Sequence, residues 1–188
     1  GFLGVHLVNR LAADGTPVRA LVWPDGATRE HAAANVEVVP ADVRSPADLE
    51  AAFDGCSVVY HLAAQTSLSL TRQELLEANS GGTRNVASAA ARAGVRRVVF
   101  SSNLNLHVRR AGALIDEDAP IRPANDYSAS KFRAERILLE ECRASGPGVV
   151  VARVGPTLGA GAVRWLGFLR AIDSGGYRIV GPGVNRLH

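Results

Sequence analysis

At 188 residues, 47% of them hydrophobic, the chain has the size of about one domain and enough apolar side chains for a packed core. No apolar run reaches the roughly 18 residues of a membrane-spanning helix, which excludes a membrane protein of that kind. The net charge of +3 comes from basic residues that are scattered, apart from the pairs Arg96-Arg97 and Arg109-Arg110; the few aromatics are not interleaved with them, which argues against a nucleic-acid surface.

The pattern opens on a helix. Gly4 to Ala13 carries Val5, Leu7, Val8 and Leu11 on one side, and Gly15-Thr16-Pro17 stops it. Read this way, the first fifteen residues are not a signal peptide. Val18 to Val22 reads as a strand and Val36 to Val39 as a second. Ser45-Pro46 is a cap followed by a proline at the first helical position, opening a short helix from Ala47 to Phe53. Ser57 to Leu62 is a buried strand, and a long helix runs from about Arg72 to Ala93, where Gly94 ends it. Val95 to Ser101 is the next strand, and a loop follows from Asn103 to Asn125. Tyr127 to Arg143 reads as a helix and Val149 to Val154 as a strand; a helix from Val163 to Ile172 and a short strand from Tyr177 to Val180 complete the series. Strands alternating with helices predict an α/β fold, a doubly wound parallel sheet of Rossmann-like type.

In such a sheet the first helix follows a central first strand, and a glycine-rich turn between them carries a dinucleotide's pyrophosphate at the helix N-terminus. Here the pattern starts on the helix itself, and Gly1-Phe2-Leu3-Gly4 looks like the back half of G-x-x-G-x-x-G. Gly1 would let the backbone approach phosphates, and Gly4 would let the helix pack close to a strand. The first residue is glycine and the sequence holds no methionine. The expectation is a fold truncated at both ends, its first strand missing between the strand Val18–Val22 and the one ending at His61.

Tyr127-Ser-Ala-Ser-Lys131 is the strongest chemical signal. Positions i and i+4 of a helix share a face, so both side chains can point into one cleft. A phenol titrates near pH ~10 and is a poor base at neutral pH, but a nearby ammonium lowers that value. The pair can then act as general acid and base on a hydroxyl or carbonyl. Of 21 basic residues, Lys131 is the single lysine. The same spacing also fits a tyrosine and a lysine on a solvated helix face.

Further stretches decide between these. Gly1 to Gly4 matches the end of a T-G-x-x-G-F-x-G turn, and Asp42-Val43 matches an acidic residue and neighbour that face an adenine. His61-Leu62-Ala63-Ala64 fits H-x-A-A at a strand end, and Asn79 to Asn85 fits N-x-x-G-T-x-N on a long helix. Phe100-Ser101-Ser102, the run DEDAPIRPANDYSASK, and Arg153 to Gly161 follow in order. Jointly, along essentially the whole chain, they resemble the extended short-chain dehydrogenase/reductase family, the NAD(P)-dependent epimerases and dehydratases. The resemblance implies that Gly1, Gly4, Asp42, Val43, Leu62, Ala63, Ala64, Asn79, Ser101, Tyr127 and Lys131 bind NAD(P). Tyr127 would exchange a proton with a substrate hydroxyl, while Lys131 holds the nicotinamide ribose and lowers the tyrosine pKa. It further implies a dinucleotide-binding domain over residues 1–154, the start of a truncated substrate-binding lobe over 155–188, a nucleotide-sugar substrate, and a homodimer through the long helices. A ketone reductase of the dihydroflavonol-reductase or hydroxysteroid-dehydrogenase type is the rival enzyme, favoured by VRALV at Val18–Val22, the second strand of the complete pattern. A non-catalytic dinucleotide-binding sensor is the rival outside enzymes.

The chain also departs from that pattern. The family usually carries Ser or Thr third after the aromatic, and Asn103 stands there. An amide can donate a hydrogen bond to a substrate oxygen but cannot relay a proton. Ser102 offers a neighbouring hydroxyl, although successive strand residues point to opposite faces. Asn103 and Ser102 therefore join Tyr127 and Lys131 as candidate catalytic residues. Asn105-Leu106-His107 replaces the usual V-Y-G. An acid at the end of the strand Val18–Val22 would mark NAD; Val22 and Trp23 stand there, which favours NADP, with Arg19 or Arg29 as candidate partner of its extra phosphate. Cys56 and Cys142 sit far apart in no ligand motif, so no disulfide framework or metal site is expected, and the chain reads as cytoplasmic with a small-molecule partner.

Overall fold

The computed structural model describes residues 1–24, 31–67, 69–107, 115–143 and 146–178. Helix α1 (Phe2–Ala13) leads into strand β1 (Val18–Val22), then β2 (Val36–Pro40), α2 (Pro46–Phe53) and β3 (Val58–His61). The long helical stretch has three parts: α3 (Arg72–Leu75), a π turn (Leu76–Gly81) and α4 (Gly82–Arg92). Strand β4 (Arg97–Asn103) runs into a 3₁₀ turn (Leu104–Leu106). Helix α5 (Asp126–Glu141), strand β5 (Gly148–Val154), a second 3₁₀ turn (Val163–Trp165) and α6 (Leu166–Asp173) follow.

Among the described residues the strands pair in parallel, β1 with β2, β3 with β4, and β4 with β5, and one isolated antiparallel bridge joins His107 and Ile121. This is the α/β, parallel-stranded architecture that the alternation predicts. The sheet comes in two pieces, β1–β2 and β3–β4–β5, with no ladder joining them among the described residues. The interruption falls between the pair β1–β2 and the set that β3 opens.

The element boundaries follow from local chemistry. Ser45 Oγ accepts from Asp48 N and caps α2, with Pro46 at its first position. Thr71 and Glu74 form a reciprocal capping box at the start of α3. Gly94 ends α4 with φ +68°, the left-handed conformation that glycine adopts most easily. Val95, expected as the first residue of the next strand, instead donates its N–H to Ala90 O and closes the helix. That is why β4 starts at Arg97 and extends to Asn103. Tyr177 and Arg178 are not in a strand; Tyr177 stacks edge-on against Phe168, with centroids 4.9 Å apart. Ile179 and Val180, the rest of that expected strand, lie outside the described residues.

The core sits on one face of β3 and β4, where Val59, Val98 and Phe100 meet Leu49 and Phe53 of α2, Val86 and Ala90 of α4, and Leu138 of α5. Each fully buried leucine or phenylalanine contributes about 1.5–3 kcal/mol. Helix α4 meets its neighbours with Ala87, Ala89 and Ala90, so α2 and α5 both close onto it. Strand β4 thus leads out of the core, and its C-terminal end lies against α5, where the chemistry collects. Among the described residues no helix is long and apolar enough to cross a membrane.

Candidate active site

Helix α5 places the principal pair. Asn125 Oδ1 accepts from Ser128 N at 2.8 Å and fixes where the helix starts. Tyr127 and Lys131 then stand one turn apart, Tyr127 half-buried and Lys131 only 2% exposed. The ammonium lies 4.0 Å from the centroid of the Phe100 ring, a desolvated cation–π contact worth on the order of 2 kcal/mol. Burial lowers the Lys131 pKa from 10.5 to about 8, against the opposing pull of the Glu135 carboxylate. Lys131 therefore keeps its charge at neutral pH. In the unfolded chain it would hold its proton up to 10.5, so burying the charge works against folding below pH 8, and that opposition fades between 8 and 10.5.

The π turn in the long helix has a consequence at this site. Asn79 lies inside it and is buried. Its Oδ1 accepts from Gln65 N at 2.7 Å, and its Nδ2 donates to Gln65 O at 3.0 Å and to Ser130 Oγ at 2.9 Å. Ser130 in turn donates to Tyr127 O at 2.7 Å. The expected cofactor ligand is thus a bridge whose amide is already engaged, tying the segment after β3 to α5. Extra width per turn in a π segment is a common device at functional sites, and helix periodicity alone does not reveal it.

Below Asn79, the Thr83 hydroxyl donates to Asn79 O at 2.6 Å, so His61 Nε2, 2.9 Å from Thr83 Oγ1, is the donor to that hydroxyl. His61 is a neutral, packed strand-end residue, and burial, with Lys131 adding to it, pushes its pKa down to about 3. Unfolding lets it take a proton below its ordinary 6.5, so its contribution to stability is present above that value and is lost as pH falls towards 3. Between pH 7 and pH 5 the wild type should lose about 2 kcal/mol more stability than His61→Gln. Urea unfolding at the two pH values measures this, and equal losses would contradict it.

At the end of β4 the two remaining catalytic candidates separate. Asn103 caps the following 3₁₀ turn, its Oδ1 accepting from Asn105 N at 2.8 Å, while Nδ2 makes a long 3.4 Å contact to Ser128 Oγ. The amide oxygen is engaged in the turn, and the amide nitrogen, the donor expected for a substrate oxygen, reaches Ser128 on α5. Ser102 points to the opposite face, as strand alternation requires, and its buried hydroxyl has no hydrogen-bond partner there. Ser101 lies on the outer side, where Leu3 and Leu7 of α1, Leu62, Ala152 and Val154 join it around an apolar cavity of about 180 Å³.

Asp42 and Val43 follow the C-terminal end of β2, and Leu62, Ala63 and Ala64 that of β3. Ala63 and Ala64 are exposed just after β3, and Gly1 caps α1 with open space around it. A side chain at Gly4 would come within 3.9 Å of Leu62 Cδ1, an ordinary contact. Gly82 is where close approach decides: a Cβ would lie 2.8 Å from Val43 Cγ2. Asn85 Nδ2 also donates to Val43 O at 3.1 Å. The asparagine and glycine of the N-x-x-G-T-x-N stretch thus hold the Asp42-Val43 segment in place.

Asp42 accepts from Arg44 through backbone and side chain, and Arg44 holds its carboxyl below the usual range. The Arg44 guanidinium lies 4.8 Å from the Trp23 ring. Arg19, a candidate partner for a phosphate, is bonded through Nε to Glu37 at 2.8 Å and through one terminal nitrogen to Ala52 O and Asp54 O, beside α2. Arg29 lies outside the described residues. Small exposed residues, a glycine-capped helix N-terminus and an acid at a strand end fit an extended dinucleotide. Cys56 and Cys142 are free thiols, and the described residues hold no cluster of three or more His, Cys, Asp or Glu.

Ser128 and Ser130 lie inside the tyrosine–lysine motif, but their part in holding the site is not marked by it, and Glu135 lies outside every motif. Glu135 gave one signal, an acid one turn beyond Lys131 among core-facing Ala134 and Leu138.

Comparison with known proteins gives a consistent answer. A ketoreductase acting on a farnesylated dihydroquinoline oxide, from Stigmatella aurantiaca, is 35% identical over 159 residues, covering 83% of this chain and 47% of that protein. A UDP-glucose 4-epimerase of Azospirillum brasilense is 30% identical over 165 residues, 85% of this chain and 47% of its own. The solved structure of MoeE5 in complex with UDP-glucose and NAD superposes with a TM-score of 0.78 at 27% identity, covering 93% of this chain and 57% of that one. The chain thus spans about half the length of the curated relatives it matches. The sequence model of the NAD dependent epimerase/dehydratase family matches residues 1–175, and the chain belongs to that family.

Proposed function

We propose that the chain carries the dinucleotide-binding part and the acid–base pair of an NAD(P)-dependent oxidoreductase acting on a carbinol or carbonyl carbon. The observation that carries this reading is the buried Lys131 ammonium one turn from Tyr127 on α5, which Asn79 ties to the segment after β3 where Ala63 and Ala64 are exposed. A bound nicotinamide dinucleotide would supply or take the hydride. The protein's own part is the proton. Tyr127 gives its phenolic proton to a carbonyl oxygen in reduction, or takes one from a hydroxyl in oxidation. Lys131 lowers the tyrosine pKa by its charge and offers donors to the cofactor. Asn79, through Ser130, holds the first turn of α5 against the segment after β3. Asn103 contributes by capping the turn that bounds the site, not by relaying a proton.

Residues 1–154 form the dinucleotide-binding domain in this proposal, and 155–188 open a substrate-binding lobe. A nucleotide sugar is the proposed substrate class, supported by the epimerase relative and by the UDP-glucose in the structural neighbour. The ketoreductase likeness is the observation that favours the second reading, a ketone. NADP is proposed over NAD because Val22 and Trp23 bring no carboxylate to the end of β1, although the neighbour holds NAD. The homodimer through α4 and α5 rests on the family resemblance alone. A turnover assay of the whole protein with each dinucleotide, over UDP-sugars and apolar ketones, tests the proposal. Turnover of a UDP-sugar supports the first substrate class and turnover of ketones alone supports the second; dinucleotide binding with no turnover would move the reading to a sensor.

A further inference from the structure

Glu135 is the buried acid of the site, and no step of the proposed reaction uses it. It follows Lys131 by one helical turn, on the same face of α5, and is 2% exposed. Its carboxylate is gripped at both oxygens by Arg153 of β5, Nε to Oε1 at 3.1 Å and the second terminal nitrogen to Oε2 at 3.0 Å. The remaining terminal nitrogen of Arg153 donates to Glu117 O at 3.1 Å and to His107 Nε2 at 3.2 Å. His107 Nδ1 donates to Ala119 O at 2.9 Å, so the ring is the neutral tautomer that can accept from arginine. The guanidinium is therefore pinned by α5, by the segment ahead of it and by the 3₁₀ turn after β4. A carboxylate held in that fork cannot swing away from its neighbours.

We propose that Glu135, clamped by Arg153, is the positioning residue that keeps Lys131 an ammonium beside Tyr127. The inference rests on reading Tyr127 and Lys131 as the acid–base pair. Its physical basis is charge. Arg153 meets the buried Glu135 carboxylate at both oxygens, and Lys131, buried one turn earlier on the same face of α5, lies in the field of that anion. Among the described residues, the titratable and charged groups around them are neutral His61 from β3, His107 and Glu117 from the segment ahead of α5, and Tyr127 on α5 itself; β4 brings the Phe100 ring. Without the anion, the lysine would stand on an aromatic face in a desolvated site with an arginine nearby, and its neutral form would gain. Glu135 already opposes the burial that lowers the Lys131 pKa.

The test is a pH titration of Lys131 by NMR on the whole protein with isotope-labelled lysine, the signal assigned by Lys131→Arg. In Glu135→Gln, which keeps the size and one acceptor for Arg153, the Lys131 midpoint should fall by on the order of one pH unit, about tenfold in proton affinity. The alkaline limb of kcat for reduction should move down with it. A role confined to packing would lower thermal stability and leave the Lys131 midpoint in place, and that result overturns the proposal. If Glu135→Gln does not fold, Glu135→Asp is read instead: a smaller fall in the same direction supports the proposal, and an unchanged midpoint overturns it. The NMR midpoint needs no turnover, so a protein inactive on every substrate would sink the acid–base reading while the Lys131 shift still decides this inference.

Discussion

Tyr127→Phe should lower kcat by roughly 10²–10⁴-fold, the usual weight of a positioned acid or base, and leave dinucleotide affinity within about twofold. The substitution removes one oxygen and keeps the half-buried ring. The hydrogen bond that anchors this turn runs from Ser130 to the backbone oxygen of residue 127, which the change does not touch. Lys131 keeps its place over Phe100, since that contact belongs to β4 and not to the phenol. The reaction loses its proton donor, so the effect belongs in kcat and not in binding. Steady-state kinetics with a parallel dinucleotide titration measures both quantities. Turnover within a few-fold of wild type would mean that the acid lies elsewhere, and a matching loss of binding would mean that the ring, not the hydroxyl, is what matters.

Arg153→Met should destabilise the fold by about 3–5 kcal/mol, as removal of one partner from a buried ion pair does. Glu135 is the reason the effect is large. Its side chain is 3% exposed, and both of its carboxylate oxygens take their hydrogen bonds from Arg153. Methionine fills much of the same volume but donates nothing. The change also frees Glu117 O and His107 Nε2, which loosens the segment leading into α5. Chemical unfolding monitored by far-UV circular dichroism gives the value. A loss below about 1 kcal/mol would place this pair among surface ion pairs, whose contributions are that small.

The parallel alternation was legible because helices and strands carry different apolar periods, and because caps such as Ser45-Pro46 and Gly94 mark boundaries with specific chemistry. Tyr127 and Lys131 were legible for the same kind of reason: a four-residue spacing on one helix fixes a shared face. What stayed hidden depends on direction or on distance along the chain. The identity of Asn103 does not tell whether its amide faces a substrate or caps the next turn. Asn79 lies in a π turn, and the residue types there suit an α-helix equally well. Arg19 carries the right charge for a phosphate, but Glu37 on the neighbouring strand claims it. Glu135 and Arg153 are 18 positions apart, on a helix and on the following strand, and only the packing of α5 on β5 makes them a pair.

The central claim is that the open strand ends beside Tyr127 and Lys131 hold a nicotinamide dinucleotide. Calorimetric titration of the whole protein with NAD and with NADP, each separately, tests it most directly. The account predicts saturable one-to-one binding of at least one of them, with NADP the tighter. No binding of either would contradict it, however well the fold and the tyrosine–lysine spacing match.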